Sequence, residues 1–244
     1  MKPIGITVLV IILLSLGLWA FRKKPAPKDR VKTAYKEKKE IIEKKLAEKG
    51  LKLEDIHILF VTYKAEKQLD IYVKNKKGSQ YSKLISYDIC ASSGDLGPKR
   101  KSGDYQVPEG FYHIDRFNPA SSYYLSLGVN YPNQSDKIKS TAKDLGGDIF
   151  IHGSCVTIGC MPMTDNKIKE IYIYALEAKN NGQNKIPVYI FPFKMTSENI
   201  KKYKSNYAHH TLFWENLKLG YDKFHQNYKE LSFSINKNGD YQFK

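Results

Sequence analysis

Cysteine is scarce in this chain. Cys90, Cys155 and Cys160 are the only three in 244 residues, too few for the disulfide framework of a small secreted fold. Three is also odd, so an exported chain would leave at least one thiol unpaired, and such a thiol is a candidate for reactivity. The sequence holds no internal repeat, no low-complexity tract and no second Cys-x2-Cys pair, so nothing in it indicates a repeat array or a zinc-knuckle module. Acidic residues are outnumbered, 25 against 40 Lys and Arg, for a formal charge of +15. That balance suits nucleic acid, an anionic membrane face or an acidic polymer such as a cell wall. No nucleic-acid-binding motif is recognisable, so nucleic acid is not expected as a partner.

What is present is globular in character. The chain is 41% hydrophobic and 13% aromatic, with 18 tyrosines, and tyrosine-rich short apolar runs lean toward β structure. One long uncharged run exists, "PIGITVLVIILLSLGLWAF" at residues 3–21. At about 1.5 Å per residue it nearly crosses a hydrocarbon core of about 30 Å. No small-x-small cleavage pattern follows it, which favours an uncleaved anchor over a removed signal. Arg22, Lys23 and Lys24 follow the run and only Lys2 precedes it, a bias that would keep the rest of the chain cytoplasmic. Residues 22–49 hold 12 Lys or Arg against 5 Asp or Glu and read as a Pro-containing spacer followed by a helix over 29–49, stopped by Gly50.

Beyond residue 50 the pattern alternates. Strands are expected at 56–64, 69–74, 84–90, 105–115, 123–129, 148–153 and 186–193, with Pro108 and Pro192 at edges or ends. "TDNKIKEIYIYALEAKNNG" at 164–182 is the clearest helix. Thr164 or Asp165 caps it, Ile168, Ile171, Tyr172, Ala175 and Leu176 share one face, and Asn180, Asn181 and Gly182 end it. Residues 197–229 read as helical or mixed, and the last fourteen residues as a hairpin. The expected fold class is mainly β with packed helices (α+β). The expected organisation is an anchor or signal over 1–22, a basic linker helix over 23–50, a catalytic domain over 51–194, and a C-terminal extension over 195–244 packed upon it.

The chemistry concentrates in "DIFIHGSCVTIGCMPMTD", residues 148–165. Strand alternation points Ile149 and Ile151 one way and Phe150 and His152 the other, so His152 ends a strand where it can serve as a base. Cys160 follows Gly159, which permits a sharp turn and close substrate approach, and it precedes a capped helix. A thiol of ordinary pKa near 8.5 needs help to ionise, and a histidine within reach supplies it. Backbone N–H groups of Ile158, Gly159 or Cys160 are candidate oxyanion donors. Two rival readings exist. His152, Cys155 and Cys160 could bind zinc with a fourth ligand from Cys90, His113, His209 or His210, and a Cys155–Cys160 disulfide would silence the nucleophile.

The "IHG … TIGCMPM" pattern resembles the signature of the L,D-transpeptidase catalytic domain (YkuD-like) family, most closely its YafK-like murein transpeptidase subgroup. Residues 90–104, 103–136, 152–165 and 213–224 carry the resemblance in the same order. It implies a β-rich catalytic domain, Cys160 as nucleophile, His152 as base, and Gly153, Ser154, Thr157 and Gly159 as the supporting loop. It implies acyl transfer on a peptidoglycan stem peptide through a thioester on Cys160, with no cofactor. Water as acceptor would make the enzyme a carboxypeptidase. Some subgroup members instead release a wall-linked protein, and a non-catalytic wall-binding module is the remaining alternative. Many members carry histidine before the Gly-Cys and arginine two residues after the cysteine, where Ile158 and Pro162 stand here. Lys99, Arg100 and Lys101, with Tyr131, are therefore the candidate contacts to the substrate and its carboxylate. The implied location is the periplasmic face of a bacterial cell envelope, anchored to the inner membrane or exported after cleavage, the orientation opposite to the one the flanking charges favour.

Overall fold

The alternating strands do assemble around one sheet. In the computed structural model, which describes residues 27–244, eight strands run in the order β3-β2-β1-β8-β4-β5-β6-β7. They are β1 (Ile56–Tyr63), β2 (Gln68–Asn75), β3 (Ser82–Asp88), β4 (Gly110–Asn118), β5 (Ser126–Val129), β6 (Phe150–His152), β7 (Met161–Pro162) and β8 (Pro187–Phe191). The β1–β8 and β6–β7 pairs are parallel and the rest antiparallel. The apolar run at 3–21 and the spacer as far as residue 26 lie outside the described residues. Among the described residues no helix is long and apolar enough to cross a membrane.

Period-two alternation gives the sheet two buried faces. Ile58 and Phe60 of β1, Leu69, Ile71 and Val73 of β2, and Val188 and Ile190 of β8 enter one core. Leu59, Val61, Tyr63, Tyr72, Tyr189 and Phe191 enter the other. The first face is covered by α3 (Asp165–Asn180), and α1 (Pro27–Ala47) packs across α3. This second layer explains why α3 buries Ile173, Tyr174 and Ala178 as well as Ile168, Ile171, Tyr172 and Ala175 of the expected stripe, whose fifth member, Leu176, is only half-buried. It also accounts for the polar pairs between the helices. Lys38 lies 3.1 Å from Glu170, which accepts from the Tyr87 hydroxyl at 2.7 Å. Tyr35 donates to Glu177. The helix at 29–49 therefore packs on the domain rather than standing clear of it.

The second face is covered by aromatic side chains from the last fifty residues. These form α4 (Ser197–Lys204), α5 (Thr211–Asn227) and the hairpin β9 (Phe233–Ile235) with β10 (Tyr241–Phe243). Phe111 of β4 sits among Tyr189, Phe191, Phe233, Tyr241 and Phe243, with ring centroids 4.8–5.7 Å apart, near the edge-to-face optimum.

Several boundaries shift for local reasons. β4 starts at Gly110 rather than 105, because Pro108 cannot donate to a ladder. β5 starts at Ser126 rather than 123, because Tyr124 takes φ +72 and breaks the extended run. A six-residue helix, α2 (Gln134–Lys139), appears where no element was expected. It is held by a capping box in which Asn133 and Asp136 bond each other's backbone.

Candidate active site

The short β6 is fixed on both sides. Ser126 of β5 pairs with His152, and β7 pairs Met161 with Ile151 and Pro162 with His152. Carrying that parallel register back one residue sets Cys160 alongside Phe150. His152 lies two residues beyond Phe150 on β6, so the two backbone positions are about 6.6 Å apart along the strand direction. β7 is only two residues long, yet it is what brings the cysteine to the histidine.

The loop between them is locked by its own side chains. The Thr157 hydroxyl accepts from the N–H of Gly159 at 3.2 Å and of Cys160 at 2.8 Å, and it lies 2.9 Å from the Cys160 carbonyl, to which it donates. Two of the three expected oxyanion donors are thus engaged in the resting loop. Gly159 has φ +128, and a Cβ there would sit 3.1 Å from the Gln106 carbonyl, so only glycine fits without strain. Ser154, at φ +65, donates its N–H to Asp165 Oδ1 at 2.9 Å. A Cβ on Gly153 would lie 2.7 Å from that same oxygen and 2.8 Å from the Tyr123 carbonyl. The start of α3 therefore anchors the turn after His152, whereas the sequence reading aimed that helix end at Cys160.

His152 is buried, and its Nδ1 lies 2.5 Å from the Gly153 carbonyl. A carbonyl only accepts, so Nδ1 carries the proton and Nε2 presents a lone pair. Burial pushes the His152 pKa down, partly offset by that bond. The Cys160 thiol donates to the Asp148 carbonyl at 3.4 Å. Burial pushes its pKa up. The Phe150 backbone and the Lys99 charge pull it down, and Asp148 pushes it up. Both shifts favour the neutral forms, so the resting pair is thiol and imidazole rather than the thiolate that the motif suggested.

Cys160 lines a cleft of about 280 Å³ with Thr62, Lys67, Ile89, Ala91–Leu96, Val107, Met161 and Tyr203. Residues 91–96 and Met161 fall within segments that carry the resemblance, but of these lining residues only Cys160 was given a role from the sequence. The floor is held by Glu109, fully buried, which accepts from Lys64 at 3.0 Å, Gly97 N–H at 2.7 Å and Trp214 Nε1 at 2.8 Å.

The basic loop thought to greet the substrate is largely turned inward. Lys99 is 5% exposed and bonds Asp104 at 2.6 Å. Arg100 bonds Asp136 at 2.8 Å and lies over the Phe213 ring. The Tyr131 hydroxyl is buried against the carbonyls of Lys99 and Leu145. Lys101 remains exposed.

Cys90 and Cys155 form a disulfide with Cα atoms 5.5 Å apart, and Cys160 is free. This replaces the Cys155–Cys160 pairing considered from the sequence and removes Cys155 and Cys90 from any ligand set. Among the described residues no group of three or more His, Cys, Asp or Glu is placed to hold a metal ion. The count of three cysteines could have been read as one bridge plus one nucleophile. Tyr123, whose ring lies 4.7 Å from that of His152, was read only as the start of a strand and given no role.

The domain as a whole is similar to known proteins. The model of the L,D-transpeptidase catalytic domain (YkuD) matches residues 57–190. The Escherichia coli K12 protein named "Putative L,D-transpeptidase YafK" is 43% identical over 175 residues, covering 71% of this chain and 68% of that one, and the O157:H7 protein of the same name matches equally. Among solved structures, the helical cell shape determining protein Pgp2 from Campylobacter jejuni is 22% identical, with a TM-score of 0.44, covering 74% of this chain and 73% of that one.

Proposed function

Since this chain belongs to the L,D-transpeptidase catalytic domain family, whose members act on peptidoglycan, we propose that it is a cysteine acyltransferase of the cell wall that works through a thioester on Cys160. The observation carrying this reading is a free thiol lining a cleft, brought by the β6–β7 pairing next to the strand that ends in an imidazole whose Nε2 presents a lone pair.

With a stem peptide in the cleft, Cys160 exchanges its Asp148 partner for His152. The S–H proton passes to Nε2 as Sγ bonds to the stem carbonyl carbon. Collapse of the tetrahedral adduct breaks the C–N bond, and the imidazolium returns the proton to the departing amine of the terminal residue. A side-chain amine of a neighbouring stem then attacks the thioester, His152 takes its proton, and the thiol is restored to Cys160 with that proton. Because the resting pair is neutral, the base acts during attack and not before it.

We place the domain outside the cytoplasm. The Cys90–Cys155 bridge supports this, since such bonds persist in oxidising compartments and are rare in the cytosol. It outweighs the charge bias flanking the N-terminal run.

The test is mass analysis of defined muropeptides incubated with the full-length chain. A 3–3 crosslinked dimer is expected. Loss of the terminal residue without crosslinking would make water the acceptor, and bound but unchanged muropeptides would overturn the catalytic reading. Cys160→Ala is expected to fold, yet form no covalent adduct with a carbapenem.

A further inference from the structure

Between β4 and β5 the chain turns a corner at Ser121–Leu125, and this corner lies against His152. Tyr123 places its ring 4.7 Å from the imidazole at a 36° tilt while staying 47% exposed on its other side. The backbone that presents it is in close contact with the His-Gly turn. The Tyr123 carbonyl and Tyr124 Cβ would meet any Cβ on Gly153 at 2.8 and 3.0 Å, and Gly153 N–H donates to the Leu125 carbonyl at 3.1 Å. Tyr124 holds φ +72, a conformation costly for a tyrosine unless its surroundings enforce it.

The enforcing contact comes from outside the family domain. Arg30, near the start of α1, donates from one guanidinium nitrogen to the carbonyls of Ser121 and Tyr124, each at 2.6 Å, and lies over the Tyr124 ring. Lys169 of α3, itself 2.5 Å from Glu37 of α1, lies over the same ring. Charged groups donating to carbonyls in partly buried sites make strong, directional bonds. Residue 30 lies well before the family match, which begins at 57.

Resting on the catalytic reading above, we propose that Tyr123 is a positioning residue for the His152 imidazole and that Arg30 fixes Tyr123 in place. The helix preceding the family domain is thereby part of the machinery that orients the base. Nδ1 is held by Gly153, but one hydrogen bond leaves the ring free to rock about it. The tyrosine face removes that freedom and shields the ring from water. Asp165 at the start of α3 is engaged by the Ser154 N–H just after the His-Gly turn. A displacement of about 1 Å in a base can cost up to about a hundred-fold in rate.

The experiment compares the full-length wild type with Tyr123→Ala, Tyr123→Phe, Arg30→Ala and Arg30→Lys. Three readouts are taken: thermal melting, kcat and KM for muropeptide acylation between pH 5.5 and 9, and the His152 imidazole titration followed by NMR. Tyr123→Ala is expected to lower kcat about ten-fold with little change in KM and to move the imidazole titration up toward its ordinary value of about 6.5. Tyr123→Phe keeps the ring and is expected to behave as wild type. Arg30→Ala is expected to move both readouts the same way by less, with partial recovery in Arg30→Lys. Unchanged titration in Tyr123→Ala or Arg30→Ala, or rate losses that merely track melting temperature, overturns the proposal. Should the wild type itself fail to turn over muropeptides, the catalytic reading falls while the titration still decides whether Tyr123 and Arg30 set the imidazole.

Discussion

A thiol and an imidazole brought together by paired strands can rest as a neutral pair or as thiolate and imidazolium, and the two respond oppositely to pH. Here burial raises the pKa of Cys160 and lowers that of His152, so the neutral pair wins. Alkylation of Cys160 by iodoacetamide, followed by mass spectrometry across pH, is expected to show its midpoint above the ordinary thiol value of about 8.5. A preformed ion pair would put it well below neutrality, and such a midpoint would refute this account. Thr157 gives a second prediction at this scale. Thr157→Val keeps the side-chain shape and removes the acceptor for Gly159 and Cys160, so kcat is expected to fall about ten-fold or more while Thr157→Ser retains activity. Equal kcat in Thr157→Val would show that the loop needs no such lock. His152 and Cys160 were legible because alternation and a glycine turn are local patterns. The resting protonation was not, because it follows from burial of both side chains by segments distant in sequence. The Arg100 ion pair was hidden for the same reason: its partner, Asp136, is thirty-six residues off.

Elements with a clear period could be read in advance, and elements made by packing could not. β1, β2, β8 and α3 fell within a few residues of expectation because each shows one dominant spacing. β7 has two residues and no period, yet its register decides the site. The loop elements are joined by the Cys90–Cys155 bridge, which links the cleft loop beginning at Ile89 to the loop carrying Cys160. Closing a separation of 65 residues is worth about 4 kcal/mol in the chain-entropy model. The double variant Cys90→Ser, Cys155→Ser is therefore expected to melt several degrees lower. It should also show faster amide exchange at residues 91–96, because the Cys90 N–H bond to Pro162 would lose its support. An unchanged melt and unchanged exchange would show the bridge to be idle.

At the scale of the whole molecule, the sheet is covered on one face by α1 and α3 and on the other by the final fifty residues. The sequence divided the chain at residue 194 into a catalytic domain and an extension. The packing ties that extension to the cleft itself, through contacts the division did not foresee. Trp214 donates to Glu109, which holds Gly97 and Lys64 beneath the cleft, and Tyr203 lines that cleft directly. Removing residues 195–244 would strip Leu217, Phe224 and Tyr241 from Phe111, Tyr189 and Phe191, leaving a large apolar face in water and a buried carboxylate short of one donor. Losing a single large core side chain already costs about 3–5 kcal/mol, and a typical domain has only about 5–15 kcal/mol of net stability. A fragment ending at residue 194 is thus expected to aggregate, or to bind a hydrophobic dye and melt without cooperativity, even though it retains Cys160, His152 and the entire family match. If that fragment instead stayed monomeric, melted cooperatively and formed the carbapenem adduct at the full-length rate, the C-terminal layer would be an appendage and the sheet would need only one covered face.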